Sequence, residues 1–195
     1  LKFLFIVGTP SRDIIEMQQI WRPQSKGYGA IIANNAFEPR DVLMNPNASE
    51  YKVRTTITGH GQQGEFTPQD HYINIDGGTE EYIWPVWTEC AENPIYPQGG
   101  TWIYDRAAWC PGAPVDTKEF ELTPVVAGQD EFAVDYDITY DPDGNYRFEG
   151  QIVAYGPPNM EHDVEVSQIL APSDEKVESR LNPVCKSPKV VIRNN

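Results

Sequence analysis

Seventeen prolines and fifteen glycines in 195 residues cut the chain into short runs, few of which sustain the i, i+3, i+4 spacing that a helix needs. Proline removes a backbone donor and fixes φ, and glycine favours turns, so the runs between them have room for strands and little else. Alternating or compact apolar runs fall at 2–7, 13–21, 52–58, 71–75, 80–87, 118–122, 131–140, 145–155 and 163–170. Their number and spacing predict an all-β chain folded as a sandwich or jelly roll. The run D-I-I-E-M-Q-Q within 13–21 fits a strand or a short helix. The run F-A-V-D-Y-D-I-T-Y, then D-P-D-G, then N-Y-R-F-E-G-Q-I-V-A-Y predicts a β-hairpin. Its D-x-D-G-N segment shares a pattern with calcium loops, but the residues that follow build a strand instead of supplying a late acidic ligand.

Charge excludes some partners. Twenty-nine acidic against fifteen basic side chains give a net charge of -14, which argues against nucleic acid and for a soluble surface. No run approaches the roughly 18 apolar residues that span a bilayer. The opening L-K-F-L-F-I-V runs into G-T-P-S-R-D without a small-residue cleavage site and reads as a strand. A chain opening on Leu1 is expected to be a mature product or a piece of a longer one.

Three cysteines divide into one disulfide and one leftover thiol. Cys90 and Cys110 close a loop of about 20 residues, for which a bond stabilises by about 3 kcal/mol. Cys185, in a proline-bounded tail, is the leftover, or pairs with a cysteine outside the chain. A disulfide implies an oxidising setting: secreted, periplasmic or cell-surface. Neither C-x-x-C nor cysteine with histidine at ligand spacing occurs, so zinc is not expected. The stapled stretch also carries Tyr96, Trp102, Tyr104, Asp105, Arg106 and Trp109. Rigid aromatics with a few directed polar groups suit a sugar or peptide cleft, and equally a loop that plugs the end of a sheet.

The segment T-I-T-G-H-G-Q-Q-G-E-F-T-P-Q-D-H-Y-I-N-I sets His60, Glu65 and His71 around one glycine-rich loop between two strands. Partial burial of Glu65 beside Phe66 would raise its carboxyl toward the range useful for acid-base work. A metal held by His60, Glu65 and His71 is the alternative, although their spacing matches no recurrent site. Neither a G-x-S-x-G elbow nor a phosphate-cradling glycine loop is present, so hydrolysis would depend on carboxylates.

Two segments, R-T-T-I-T-G-H-G with G-E-F and D-H-Y-I-N-I, then C-A-E-N-P with G-G-T-W-I-Y-D-R-A-A-W-C-P-G, resemble the second half of the peptide-N-glycosidase F family. The family typically has D-R-A-G-W-C-P-G where this chain has D-R-A-A-W-C-P-G. The resemblance implies an antiparallel eight-stranded jelly roll over 1–171, with 172–195 a linker or the start of a following strand or domain. It implies hydrolysis of the amide between an N-glycan and asparagine, with no metal or other cofactor. Glu65 matches the family's accessory catalytic glutamate, Arg106 and Trp109 match its cleft-lining pair, and Cys90 with Cys110 matches one of its disulfides. Trp102 and His60 join them as expected glycan contacts. The cysteines that bracket the family's glutamate fall at Gln63 and Thr67 here, and the principal catalytic aspartate belongs to a first jelly roll upstream. The expected partners are therefore an N-glycan or glycopeptide and an upstream jelly-roll domain, with the chain inactive alone. A non-catalytic glycan-binding, peptide-binding or structural module of a larger surface protein is the competing class.

Overall fold

The computed structural model describes residues 7–78, 81–90, 104–161, 164–171 and 189–194. Two four-stranded antiparallel sheets face each other. The first has the order β1-β8-β3-β6 and the second β2-β7-β4-β5, the eight strands of the expected jelly roll. The first sheet comprises β1 (Arg12–Gly27), β3 (Glu50–His60), β6 (Lys118–Glu121) and β8 (Asn145–Pro158). The second comprises β2 (Arg40–Leu43), β4 (Gln69–Ile75), β5 (Tyr82–Val86) and β7 (Glu131–Ile138). Among the described residues three short helices interrupt them: α1 (Tyr28–Ile32), α2 (Gly61–Phe66) and α3 (Thr123–Val126). A separate ribbon pairs β9 (Val164–Ala171) with β10 (Lys189–Asn194).

Alternation explains the layering. Successive side chains on a strand point to opposite faces, so Tyr51, Val53 and Ile57 of β3 and Tyr146, Phe148 and Ile152 of β8 turn inward together. They meet Phe132, Val134, Tyr136 and Ile138 of β7 and Ile73 and Ile75 of β4 in one core. Its centre is aromatic. Tyr136 stacks on Phe148 across the two sheets with centroids 3.9 Å apart, and Phe37 meets both rings edge-on at 5.7 and 4.9 Å.

One open alternative closes here and two expectations change. The segment 13–21 lies within the long strand β1, which removes the helical alternative. The predicted hairpin does not form, because β7 lies between β2 and β4 whereas β8 lies between β1 and β3. The turn between them crosses from one sheet to the other, and it is fastened inward. Asp141 is buried, accepts from the Tyr146 hydroxyl at 2.5 Å, and its carbonyl accepts from Gly144 N at 2.9 Å. Alternation marked both runs as strands with one buried face, and those faces oppose each other instead of sharing a sheet. Finally, the supposed glycine-rich loop after His60 contains a turn of helix, α2.

The expected strand at 2–7 lies outside the described residues apart from Val7, as do Tyr96, Trp102, Cys185 and most of the tail. Cys90 and Cys110 are bonded, with Cα atoms 5.5 Å apart. Among the described residues no helix is long and apolar enough to cross a membrane.

Candidate functional site

β3 ends at His60, and α2 starts at the next residue, so the chain folds back over the end of its own strand. Gly59 and Gly64 permit this. A Cβ on Gly59 would lie 1.8 Å from Gly64 O and 2.5 Å from the Ala107 Cβ, a separation real atoms do not tolerate. The stapled segment then docks against both pieces. Gly59 N donates to Ala107 O and Ala107 N donates to Glu65 O, each at 3.0 Å. Thr88 and Arg106 form a two-bond antiparallel bridge at 2.8 and 3.1 Å, and the disulfide closes the same segment two residues beyond Thr88.

This backbone frame holds five side chains in one layered group. The Arg106 guanidinium lies over the Trp109 ring at 4.7 Å and over the Phe66 ring at 5.2 Å. Its Nη1 donates to Glu65 Oε1 at 3.0 Å. His60 stacks on Trp109, with ring centroids 5.9 Å and planes 26° apart. Trp109 Nε1 donates to Gly59 O at 3.0 Å, which fixes the indole. His60 Nε2 and Thr58 Oγ1 share a hydrogen bond of 2.8 Å.

Exposure differs across the pair. The Arg106 side chain is 3% exposed and that of Glu65 is 19% exposed, so the cation is buried while the carboxylate reaches the surface. A buried guanidinium is retained because two aromatic faces and a carboxylate replace its water. Burial lowers the His60 pKa, and Arg147 lowers it further against the opposing influence of Glu65. Burial thus favours the neutral form of His60, beside a partly exposed indole and a carboxylate that accepts hydrogen bonds. Such a surface offers a flat apolar face and directed polar groups, the combination a sugar ring presents in complement.

The family described as "Peptide-N-glycosidase F, C terminal" matches residues 27–166, well over half of the chain. The chain belongs to this family. Among solved structures it is similar to PNGase F, a glycosylasparaginase from Flavobacterium meningosepticum, at 21% identity and a TM-score of 0.62, covering 77% of this chain and 55% of that one. It is also similar to a peptide-N(4)-(N-acetyl-β-D-glucosaminyl) asparagine amidase, at 22% identity and a TM-score of 0.61, covering 79% of this chain and 56% of that one. A recombinant peptide:N-glycanase F gives 23% identity and a TM-score of 0.60 over 77% of this chain and 55% of its own. The chain thus spans little more than half the length of the structures it matches. At these identities the likeness is one of fold. Comparison with curated protein sequences gives no match.

Of the residues singled out in the sequence, the fold brings together His60, Glu65, Arg106 and Trp109. His71 goes elsewhere. It is 1% exposed in the core of the second sheet, with Nδ1 at 2.7 Å from the Tyr136 hydroxyl and its ring edge-on to Tyr146. Burial pushes its pKa down to about 3, and it takes no part in a cluster with His60 and Glu65. Among the described residues, no group of three or more His, Cys, Asp or Glu side chains is placed to hold a metal. The ion pair of Arg106 runs to Glu65, 41 positions away, instead of to its neighbour Asp105. Phe66 and Thr58 were missed. Phe66 had a legible signal, since an aromatic directly after the candidate glutamate travels with it.

One departure from the family motif shows in the backbone. Ala108 has φ 57°, the left-handed region, and it stands where the family typically has glycine. Forcing a Cβ there costs about 1–2 kcal/mol. The disulfide and the Thr88 bridge hold the segment in that shape.

Proposed function

We propose that this chain is the second half of a peptide-N4-(N-acetylglucosaminyl)asparagine amidase-like protein, contributing an accessory glutamate and a glycan-contacting surface. The observation that carries the reading is the Glu65–Arg106 pair at 3.0 Å, set between Phe66 and Trp109 with the carboxylate at the surface. Glu65 would orient water or a catalytic carboxylate from a neighbouring domain. Arg106, Trp109, His60 and Trp102 would contact the sugar core. Amide hydrolysis needs one group to activate water and another to protonate the departing nitrogen. Glu65 can supply at most one of these, so the reading includes an upstream jelly roll carrying the other and an inactive isolated chain.

The disulfide supports a secreted, periplasmic or cell-surface setting. Division into a jelly roll over 1–171 and a following strand or linker over 172–195 belongs to the same proposal, and pairing of β10 with β9 supports the strand.

The test is glycan release from a denatured N-glycopeptide by the full-length polypeptide that contains this chain, followed by mass spectrometry. Glu65→Ala should lower the rate at least about tenfold, toward the range of a lost acid-base contributor. An unchanged rate rejects the role of Glu65. One observation favours a second reading, a non-catalytic glycan- or peptide-binding module: Gln63 and Thr67 stand where the family's motif carries a cysteine pair. Glycan binding that depends on Trp109, with no release by the full-length protein, would select it.

A further inference from the structure

On the outward face of the first sheet, β3 carries a polar row in which Lys52 and His60 lie eight residues apart, about 27 Å along an extended strand. The far end of that row is a separate feature. Glu50 receives Arg12 Nε at 2.8 Å and Lys52 Nζ at 2.5 Å. Glu119 of β6 receives Arg193 Nη2 of β10 at 3.1 Å and Arg54 Nε at 3.9 Å. Four cationic side chains thus meet two carboxylates, and the three of them other than Arg54 face a shared hollow with both carboxylates, a local excess of one positive charge on a chain whose net charge is -14.

Between them lies a hollow of about 150 Å³ bounded by Arg12, Lys52, Arg193, Glu50, Glu119 and the Tyr155 ring. Lys52 Nζ lies 5.1 Å from the centre of that ring. Arg12 is further held by donation from Nη1 to Gly156 O at 3.0 Å. The side chains of Arg12, Lys52 and Glu50 are 22%, 17% and 14% exposed, so they are fixed and only partly solvated. Arginine has five donors and lysine three, and the ion pairs to Glu50 and Glu119 engage only part of that set.

We propose that this notch is a binding site for an acidic sugar residue, a uronate or a similar carboxylate-bearing ring. The chemistry matches group by group. One carboxylate of the ligand answers the one excess cation among the charged side chains that line the hollow, with arginine suited to bind it through paired hydrogen bonds. The sugar hydroxyls donate to Glu50 and Glu119, and the Tyr155 ring forms an apolar wall. An acidic peptide fits less well, because it brings several negative charges and few hydroxyl donors to a notch that contains two carboxylates. The volume is below the roughly 300–1,000 Å³ of drug-sized pockets, which suits a single ring at the end of a longer glycan. This site needs neither Glu65 nor any amidase activity.

Calorimetric titration of the 195-residue chain with galacturonate trimer, with a neutral chitotriose control, tests it. The acidic trimer should bind with a Kd of about 1 mM or tighter and weaken as salt rises. Arg193→Gln and Lys52→Gln should each weaken it at least about tenfold while chitotriose binding stays unchanged. NMR shift changes at Tyr155 locate the ligand, and circular dichroism confirms that each variant is folded. No binding of the trimer at about 10 mM overturns the proposal. So does equal binding of a penta-glutamate peptide, or trimer binding that both folded variants retain.

Discussion

Gly59→Ala is the sharpest probe of how the candidate site is held. The added Cβ would lie 1.8 Å from Gly64 O, 2.5 Å from the Ala107 Cβ and 2.8 Å from Gly64 C. Ordinary carbon contacts fall near 3.5–4.0 Å, so α2 and the Ala107 segment must separate by roughly 1.5 Å. Two of the contacts are backbone, which no rotamer can relieve. That separation breaks or stretches three hydrogen bonds of 3.0 Å: Gly59 to Ala107, Ala107 to Glu65, and Trp109 to Gly59. At about 0.5–1.5 kcal/mol each, plus about 1–3 kcal/mol for overpacking, the gross cost is about 2.5–7.5 kcal/mol, and a net loss of about 3 kcal/mol is expected. Alanine recovers only about 0.4–1 kcal/mol through the unfolded chain. For a domain of this size the melting temperature should drop by about 6–12 °C. Urea unfolding followed by circular dichroism measures it, with the slope unchanged. Gly29→Ala is the control, since nothing lies within 4 Å of its Cβ and it sits in α1; it should be neutral or stabilising by up to about 1 kcal/mol. A Gly59→Ala protein within about 1 kcal/mol of wild type would refute the packing argument.

The Cys90–Cys110 bond spans a sequence separation of 20. Replacing both cysteines by serine should therefore lower stability by about 3 kcal/mol, read from the urea midpoint with and without reductant. Tyr146→Phe removes the hydroxyl that Asp141 Oδ2 accepts from, and among the described residues Asp141 Oδ1 is already buried without a partner. The expected loss is about 1–3 kcal/mol in the same assay, and a neutral result would mean that Asp141 finds another donor. His71 keeps its neutral form in the fold down to about pH 3, whereas the unfolded chain takes up a proton near 6.5. Between those values the unfolded state binds more protons, so this residue's contribution is intact above pH 6.5 and falls by up to about 1.4 kcal/mol per unit as the pH drops. His71→Gln should flatten the acid limb of a plot of urea midpoint against pH, and an unaltered limb would count against the burial argument.

Strand positions were legible because a half-buried strand writes its period into the chain. Tyr51, Val53 and Ile57 declare the inner face of β3, and Phe132, Val134, Tyr136 and Ile138 that of β7. Which strand lies beside which is a different matter. β7 and β8 are separated by a turn rich in Pro, Asp and Gly, and pattern alone made them a hairpin. Their inner faces meet across the core through Tyr136 and Phe148. Periodicity encodes a buried face but not the identity of what covers it. β2 was missed because its four residues hold a single buried side chain, Val42, too little for a period. The same reasoning, applied more strictly, would have placed His71. It shares parity with Ile73 and Ile75 on β4, so a strand that buries those isoleucines buries the histidine too.

The sequence pointed to four side chains that the fold brings together, His60, Glu65, Arg106 and Trp109, but not to their bonding. Glu65 and Arg106 are 41 positions apart, and no local pattern connects them. Physical placement of Glu65 comes from close backbone approach. Gly64 lies so near β8 that a Cβ would meet Asn145 N at 2.8 Å, and Ala107 N holds Glu65 O at 3.0 Å. In this chain, with Gln63 and Thr67 flanking the Glu65 turn, these backbone contacts hold it without a covalent bond between those two positions. A staple tolerates side chains around it because the covalent bond does the holding. A glycine contact does not, since any Cβ removes it. The orientation of the carboxylate toward Arg106 therefore depends on Gly59 and Gly64, two residues with no functional group at all.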